Sequence, residues 1–371
     1  MKIKAIITSI FLLYGASMHS ISVMQHVRYY IAGFRKSCWK QGHVPSAEEV
    51  ELQKKLFGYD LSITHIKDRA LSTVHLSKKR VKLFVHGFSE NKNQAMVFAG
   101  QYGVIAGDFV TFNLPDRVSM FSPIINRIYK TSFGQLNEIL PTLYVLSYLK
   151  SQLGLEAIDL VGYSRGAAVI ANMLYVLTDT SGTYDDALSA IGIDTKERAA
   201  LIALIENGSI LLSCPLISMK RVFEDHWFIS NVPGHMTAIE YTTSYKKDGL
   251  DPFESLKKIK KLKSRILLHL QHNDESVGNA YDADVYTTLS RLNSVGTYLL
   301  LGNDGGHKVE PKSLRKAVHT FYRNVGASYN LVEDALYQKR LKGNFSRLNF
   351  LQQPTIKAAP GLIKQLHADY E

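Results

Sequence analysis

The chain has 371 residues and a formal net charge of +11, with 46% hydrophobic and 21% charged residues. That balance excludes a disordered or low-complexity chain and allows one large domain with extensions. Its two cysteines, Cys38 and Cys214, exclude a disulfide-built scaffold. The positive charge favours anionic surfaces such as acidic lipid. No aromatic-rich RNA-binding motif, zinc-finger spacing or helix-turn-helix pattern accompanies it, so nucleic acid is not an expected partner.

The N-terminus opens with Lys2 and Lys4, runs through residues 5–14, apolar apart from Thr8 and Ser9, and reaches Gly15, Ala16 and Ser17. Charge, short apolar run and small-residue exit have the layout of a secretory signal over 1–17, so export to the periplasm or medium is expected. A buried or interfacial helix in a cytoplasmic protein is the alternative. Residues 18–75 read as an irregular, partly helical lead-in, with Tyr29, Tyr30, Ile31 and Phe34 before Arg35 and Lys36.

From Val81 onward short apolar runs alternate with helical patterns, which predicts a mostly parallel sheet with helices on both faces. Strands are expected over 81–85, 109–113, 157–161, 209–213, 265–270 and 297–301, and helices over 136–150, 167–177, 196–205 and 252–263. Pro141 should kink or restart the first of these helices. In the last, Asp251 is placed to cap, Pro252 takes the first position, and Phe253, Leu256, Ile259 and Leu262 share a side. Lys257, Lys258, Lys260, Lys261 and Lys263 then fall on the other faces, a solvated surface rather than a phosphate patch. Cys214, in the apolar run 210–214, reads as a small core residue.

The decisive segment is 157–168, an apolar strand running into Gly162-Tyr163-Ser164-Arg165-Gly166 and then into a small-residue helix start. It resembles the nucleophile elbow of the α/β hydrolases, in which a tight strand-to-helix turn lifts a serine clear of the sheet. Gly162 and Gly166 would lack side chains because residues two before and two after the nucleophile crowd each other. The helix N-terminus adds positive potential for a developing oxyanion.

Three further segments extend the resemblance. Residues 81–88 are similar to the strand and His-Gly turn that carry half of that family's oxyanion hole. The resemblance makes the backbone N–H groups of Phe88 and Arg165 the two donors, each worth about 3 kcal/mol. His86, in the same turn, reads as structural rather than as the base. Residues 262–277 resemble the family's late strand and Asp-x-x-Val loop, which makes Asp274 the acid that orients the histidine. Glu275, Asp282, Asp284 and Asp304 are the alternatives. His272 and Gly278 depart from the pattern, where many relatives have glycine and proline. Residues 297–307 form a strand and a loop ending Gly305-Gly306-His307, ahead of a helix expected over 311–322. His307 is the base by position, completing the order Ser, Asp, His.

The resemblance covers roughly 75–325, and no metal-ligand cluster or dinucleotide fingerprint competes, so no cofactor is expected. It implies an α/β-hydrolase fold over 76–325 with a lid or cap over 218–247, where Phe223, Trp227, Phe228 and Ile229 suit an acyl pocket. Residues 326–371 are a C-terminal extension. The implied activity is a serine hydrolase acting on small-molecule or lipid carboxylic esters through an acyl-enzyme, with an anionic membrane surface as an expected partner. The alternative is a catalytically silent binding protein on the same fold or a secreted bacterial factor.

Overall fold

The computed structural model describes residues 39–68, 79–87, 108–115, 132–216, 248–271, 296–302 and 348–352, with Asp274, Val277, Val285, Thr288, Leu289, Arg291, Leu292, His307 and Phe321. The expected signal over 1–17, the cap over 218–247, the 311–322 helix apart from Phe321, and most of the C-terminal extension lie outside the described residues.

Among the described residues nine strands form one sheet. They are β1 (Trp39–Gln41), β2 (Thr64–Asp68), β3 (Arg80–Val85), β4 (Asp108–Thr111), β5 (Ala157–Tyr163), β6 (Ser209–Ser213), β7 (Arg265–Gln271), β8 (Thr297–Gly302) and β9 (Leu348–Gln352). The order is β1-β2-β4-β3-β5-β6-β7-β8-β9. From β4 to β8 every pairing is parallel, while β1, β2 and β9 attach antiparallel at the two edges. All six expected strands are therefore present and parallel. The sheet also reaches beyond 76–325, taking β1 and β2 from the lead-in and β9 from the C-terminal extension.

Every residue of β5 and β6 is buried. Successive strand residues face opposite sides, so both faces of the sheet centre are covered, as a parallel sheet requires. The described helices are α1 (Ala47–Phe57), α2 (Leu136–Leu153), α3 (Arg165–Thr178), α4 (Asp185–Ser189), α5 (Thr195–Glu206) and α6 (Pro252–Lys258). Helix α3 packs on β5 and β3, α5 on β5, α2 against α3 and α5, and α6 against α3. Ser46 and Glu49 form a capping box on α1, and Asp194 caps α5. None of these helices is long and apolar enough to cross a membrane.

Two local expectations differ from the structure. Helix α2 runs unbroken through Pro141, which is buried just beyond the first turn beside Ile139, Leu143, Val145 and Leu146. The burial offsets one lost backbone bond. Helix α6 does take Asp251 as its cap, through the N–H groups of Phe253 and Glu254, but it stops at Lys258 rather than Lys263. Ile259 turns extended (φ −69°, ψ 126°), yet Ile259 and Leu262 remain buried, and the Leu262 N–H bonds the Leu292 carbonyl. The five lysines are all exposed. Continuing the helix would stack Lys257, Lys260 and Lys261 at repelling spacings, and an extended chain buries the same apolar residues without that cost.

Candidate active site

Because β3 to β8 run parallel, their C-terminal ends share one edge of the sheet, where ligands of open α/β sheets bind. Each expected site residue leaves a strand at that edge: Ser164 after β5, Asp274 after β7, His307 after β8, and the His86-Gly87 turn after β3. Register tightens the arrangement, with Val85 opposite Gly162, Tyr163 opposite Ser213 and Ser213 opposite His269.

Ser164 has φ 51° and ψ −117°, a strained conformation for a residue with a side chain, costing about 1–3 kcal/mol. Several bonds hold it there. Its N–H donates to the Ser213 carbonyl, and its own carbonyl accepts from the Ala167 and Leu216 N–H groups. The glycines have the steric role expected of them, with different partners. A Cβ on Gly162 would sit 2.7 Å from the Ala167 Cα, and one on Gly166 would sit 2.0 Å from the Val85 carbonyl oxygen. Gly162 lets α3 fold back on β5, and Gly166 lets α3 touch the end of β3.

The hydroxyl of Ser164 lies 2.9 Å from His307 Nε2. On the far side of the ring, Nδ1 lies 2.8 Å and 3.0 Å from the two carboxylate oxygens of Asp274, whose Oδ1 also accepts the Val277 N–H. A carboxylate only accepts, so Nδ1 carries the ring proton and Nε2 is free to accept from the serine hydroxyl. All three side chains are buried. Asp274 is thus the carboxylate at the ring among the described residues. Glu275, Asp282, Asp284 and Asp304 lie outside them.

His86 has both ring nitrogens engaged. Nδ1–H donates to the Gly87 carbonyl, and Nε2 accepts the Leu114 N–H, so it joins the end of β3 to the chain leaving β4. Phe88 lies outside the described residues. Arg165 is the first residue of α3, so its N–H has no partner within the helix.

Three side-chain contacts around the site were not legible in the sequence. The Arg165 guanidinium is fully buried with Nη1 3.8 Å from Glu138, itself fully buried, and Glu138 accepts the N–H groups of Ser132 and Gly134. Tyr163 donates its hydroxyl to the His307 carbonyl. His269, wholly buried on β7, is bonded through Nδ1 to Ser213 Oγ. Burial pushes its pKa down to about 3, partly opposed by the Asp274 charge. Cys214 is buried as expected, and its thiol lies with the Asp274 and His307 donors inside a 4.8 Å group. The ring nitrogen and carboxylate of that group already bond each other, so it is a hydrogen-bonded pair beside a thiol rather than an open ligand set.

No protein-family model matches the chain. No curated protein matches it either. Among solved structures, an inhibited esterase B from Lactobacillus rhamnosis superposes with a TM-score of 0.55 over 90% of this chain and 99% of that one, at 12% identity. The chain has the α/β-hydrolase fold. Lower similarity extends to Thermogutta terrifontis esterase 2 (TM-score 0.45, 10% identity, 83% of this chain and 96% of that one). The Pyrococcus furiosus esterase Pf2001 is similar at TM-score 0.43 and 12% identity, over 77% of this chain and 92% of that one. On an α/β-hydrolase sheet the Ser164 turn occupies the strand-to-helix position expected of a nucleophile elbow.

Proposed function

We propose that the chain is a serine hydrolase that cleaves carboxylic esters through an acyl-enzyme, with Ser164 as nucleophile, His307 as general base and Asp274 as the residue that orients His307. The observation that carries this reading is the continuous chain from Ser164 Oγ through His307 Nε2 and Nδ1 to Asp274, at 2.9 Å and 2.8 Å. Attack on the ester carbonyl transfers the serine proton to Nε2, and the imidazolium then protonates the departing alkoxide. Water attacks the acyl-enzyme by the same route in reverse. The Arg165 N–H, at the positive end of α3, and the Phe88 N–H stabilise the tetrahedral oxyanion. Esters are favoured over amides because an alkoxide leaves with less help than an amine. Lipid esters belong to the same class.

The test is labelling with a fluorophosphonate together with turnover of short acyl esters and matched amides. The wild type should label, and it should hydrolyse the esters far faster than the amides. Ser164→Ala should do neither while melting at an unchanged temperature. A folded wild type that takes no label would turn the reading toward a catalytically silent binding protein, and labelling that survives in Ser164→Ala would move the nucleophile elsewhere.

A further inference from the structure

We propose that Tyr163 is a positioning residue for the base, its hydroxyl acting as a tether that keeps His307 in register with Ser164 through the reaction cycle. The inference rests on the reading of Ser164 and His307 as nucleophile and base, and adds a residue to that site. Tyr163 is the last residue of β5, rigidly paired with Ser213 of β6 and only 6% exposed. Its hydroxyl donates to the His307 carbonyl oxygen at 2.8 Å. Its ring lies 5.3 Å from the imidazole, tilted by 35°.

The need for a tether follows from the proton transfers that His307 makes. Three residues hydrogen-bond His307 among the described residues. The contacts to Ser164 and to Asp274 are made by the imidazole. The Ser164 bond must break when Nε2 passes its proton to the leaving group, and the Asp274 bond changes strength as the ring gains and loses charge. The third, from Tyr163, is made to the main chain and takes no part in proton transfer. It is therefore the contact that can stay constant while the other two change. A displacement of about 1 Å at a base can cost on the order of 100-fold in rate. The residue before the nucleophile thus serves the residue that activates it.

Tyr163→Phe removes the hydroxyl and keeps the ring. With short acyl esters, kcat should fall roughly tenfold while KM stays within about twofold. Acylation and deacylation should slow by similar factors in rapid-mixing traces, because His307 moves a proton in both. Tyr163→Leu, which also removes the ring, should lose more. The melting temperature and circular dichroism report the folded fraction. A second readout needs no turnover: the proton on His307 Nδ1, bonded to Asp274, should give a sharp downfield nuclear magnetic resonance line, assigned by its loss in His307→Gln. That line should broaden in Tyr163→Phe. If the wild type hydrolyses esters, kcat decides, and a folded Tyr163→Phe within twofold of wild type, or a fall explained by lost folded protein, overturns the tether. If the wild type neither labels nor hydrolyses, the parent reading fails and the resonance decides, an unchanged line in Tyr163→Phe overturning the tether.

Discussion

At the two edges of the parallel sheet a buried carboxylate does different work. At the N-terminal edge, Asp159 of β5 accepts from Arg80 of β3 through Nε at 2.7 Å and through Nη2, and from the Ser209 backbone N–H and hydroxyl of β6. Both oxygens are committed to donors on neighbouring strands. At the C-terminal edge, Asp274 holds a ring that can move a proton, and the far side of that ring meets a hydroxyl on a strained turn. Asp159 locks three strands in register. Asp274 bonds one ring nitrogen of His307 and leaves the other to meet a hydroxyl. A buried, bonded carboxylate is therefore no sign of a reactive site by itself; what matters is whether its partner has a second, exchangeable contact.

The comparison breaks most sharply through Asp274→Asn. The amide can present its N–H₂ to the ring and favour the wrong tautomer, so ester turnover should fall by about 10³- to 10⁴-fold with the fold retained, measured as kcat beside the melting temperature. Asp159→Asn should do the opposite. It leaves the half-buried Arg80 without its charge partner, so urea denaturation should show a loss of about 3 kcal/mol, while kcat per folded molecule stays near wild type.

A smaller effect sharpens the picture at the site. The folded state lowers the His269 pKa from 6.5 to about 3, whereas the unfolded chain titrates near 6.5. Between those values the unfolded state binds the extra proton, so stability is full above about pH 6.5 and falls as pH drops toward 3. The slope approaches about 1.4 kcal/mol per pH unit. Urea denaturation at pH 7.5, 6 and 5 should show that slope as the difference between wild type and His269→Gln; parallel curves would mean that His269 takes up its proton equally in the folded and unfolded states.

The edges of the sheet show where reading the sequence reached its limit. Strands β3 to β8 are compact apolar runs, because strands covered on both faces need them. Strand β2, Thr64-His65-Ile66-Lys67-Asp68, and the three-residue edge strand β1 carry polar residues in place of an apolar run, and such segments look irregular without their partners. Helix α6 shows the reverse problem, since its apolar spacing continued past Lys258 while the helix did not.

The sequence alone determined the local chemistry: the apolar runs that become the parallel strands, the glycines of the Ser164 turn, and the order of Ser164, Asp274 and His307 along the chain. These were legible because sterics within a few residues, and burial on both faces, leave a mark on composition. The tertiary structure decided which distant groups meet. It placed Asp274 on the His307 ring, set Glu138 under Arg165, joined Arg80 and Ser209 to Asp159, and brought the Tyr163 hydroxyl to the His307 carbonyl across 144 positions of chain. Such contacts depend on strand order and register, and a single tyrosine or glutamate has the same local sequence signature whether it tethers a base or merely fills a core.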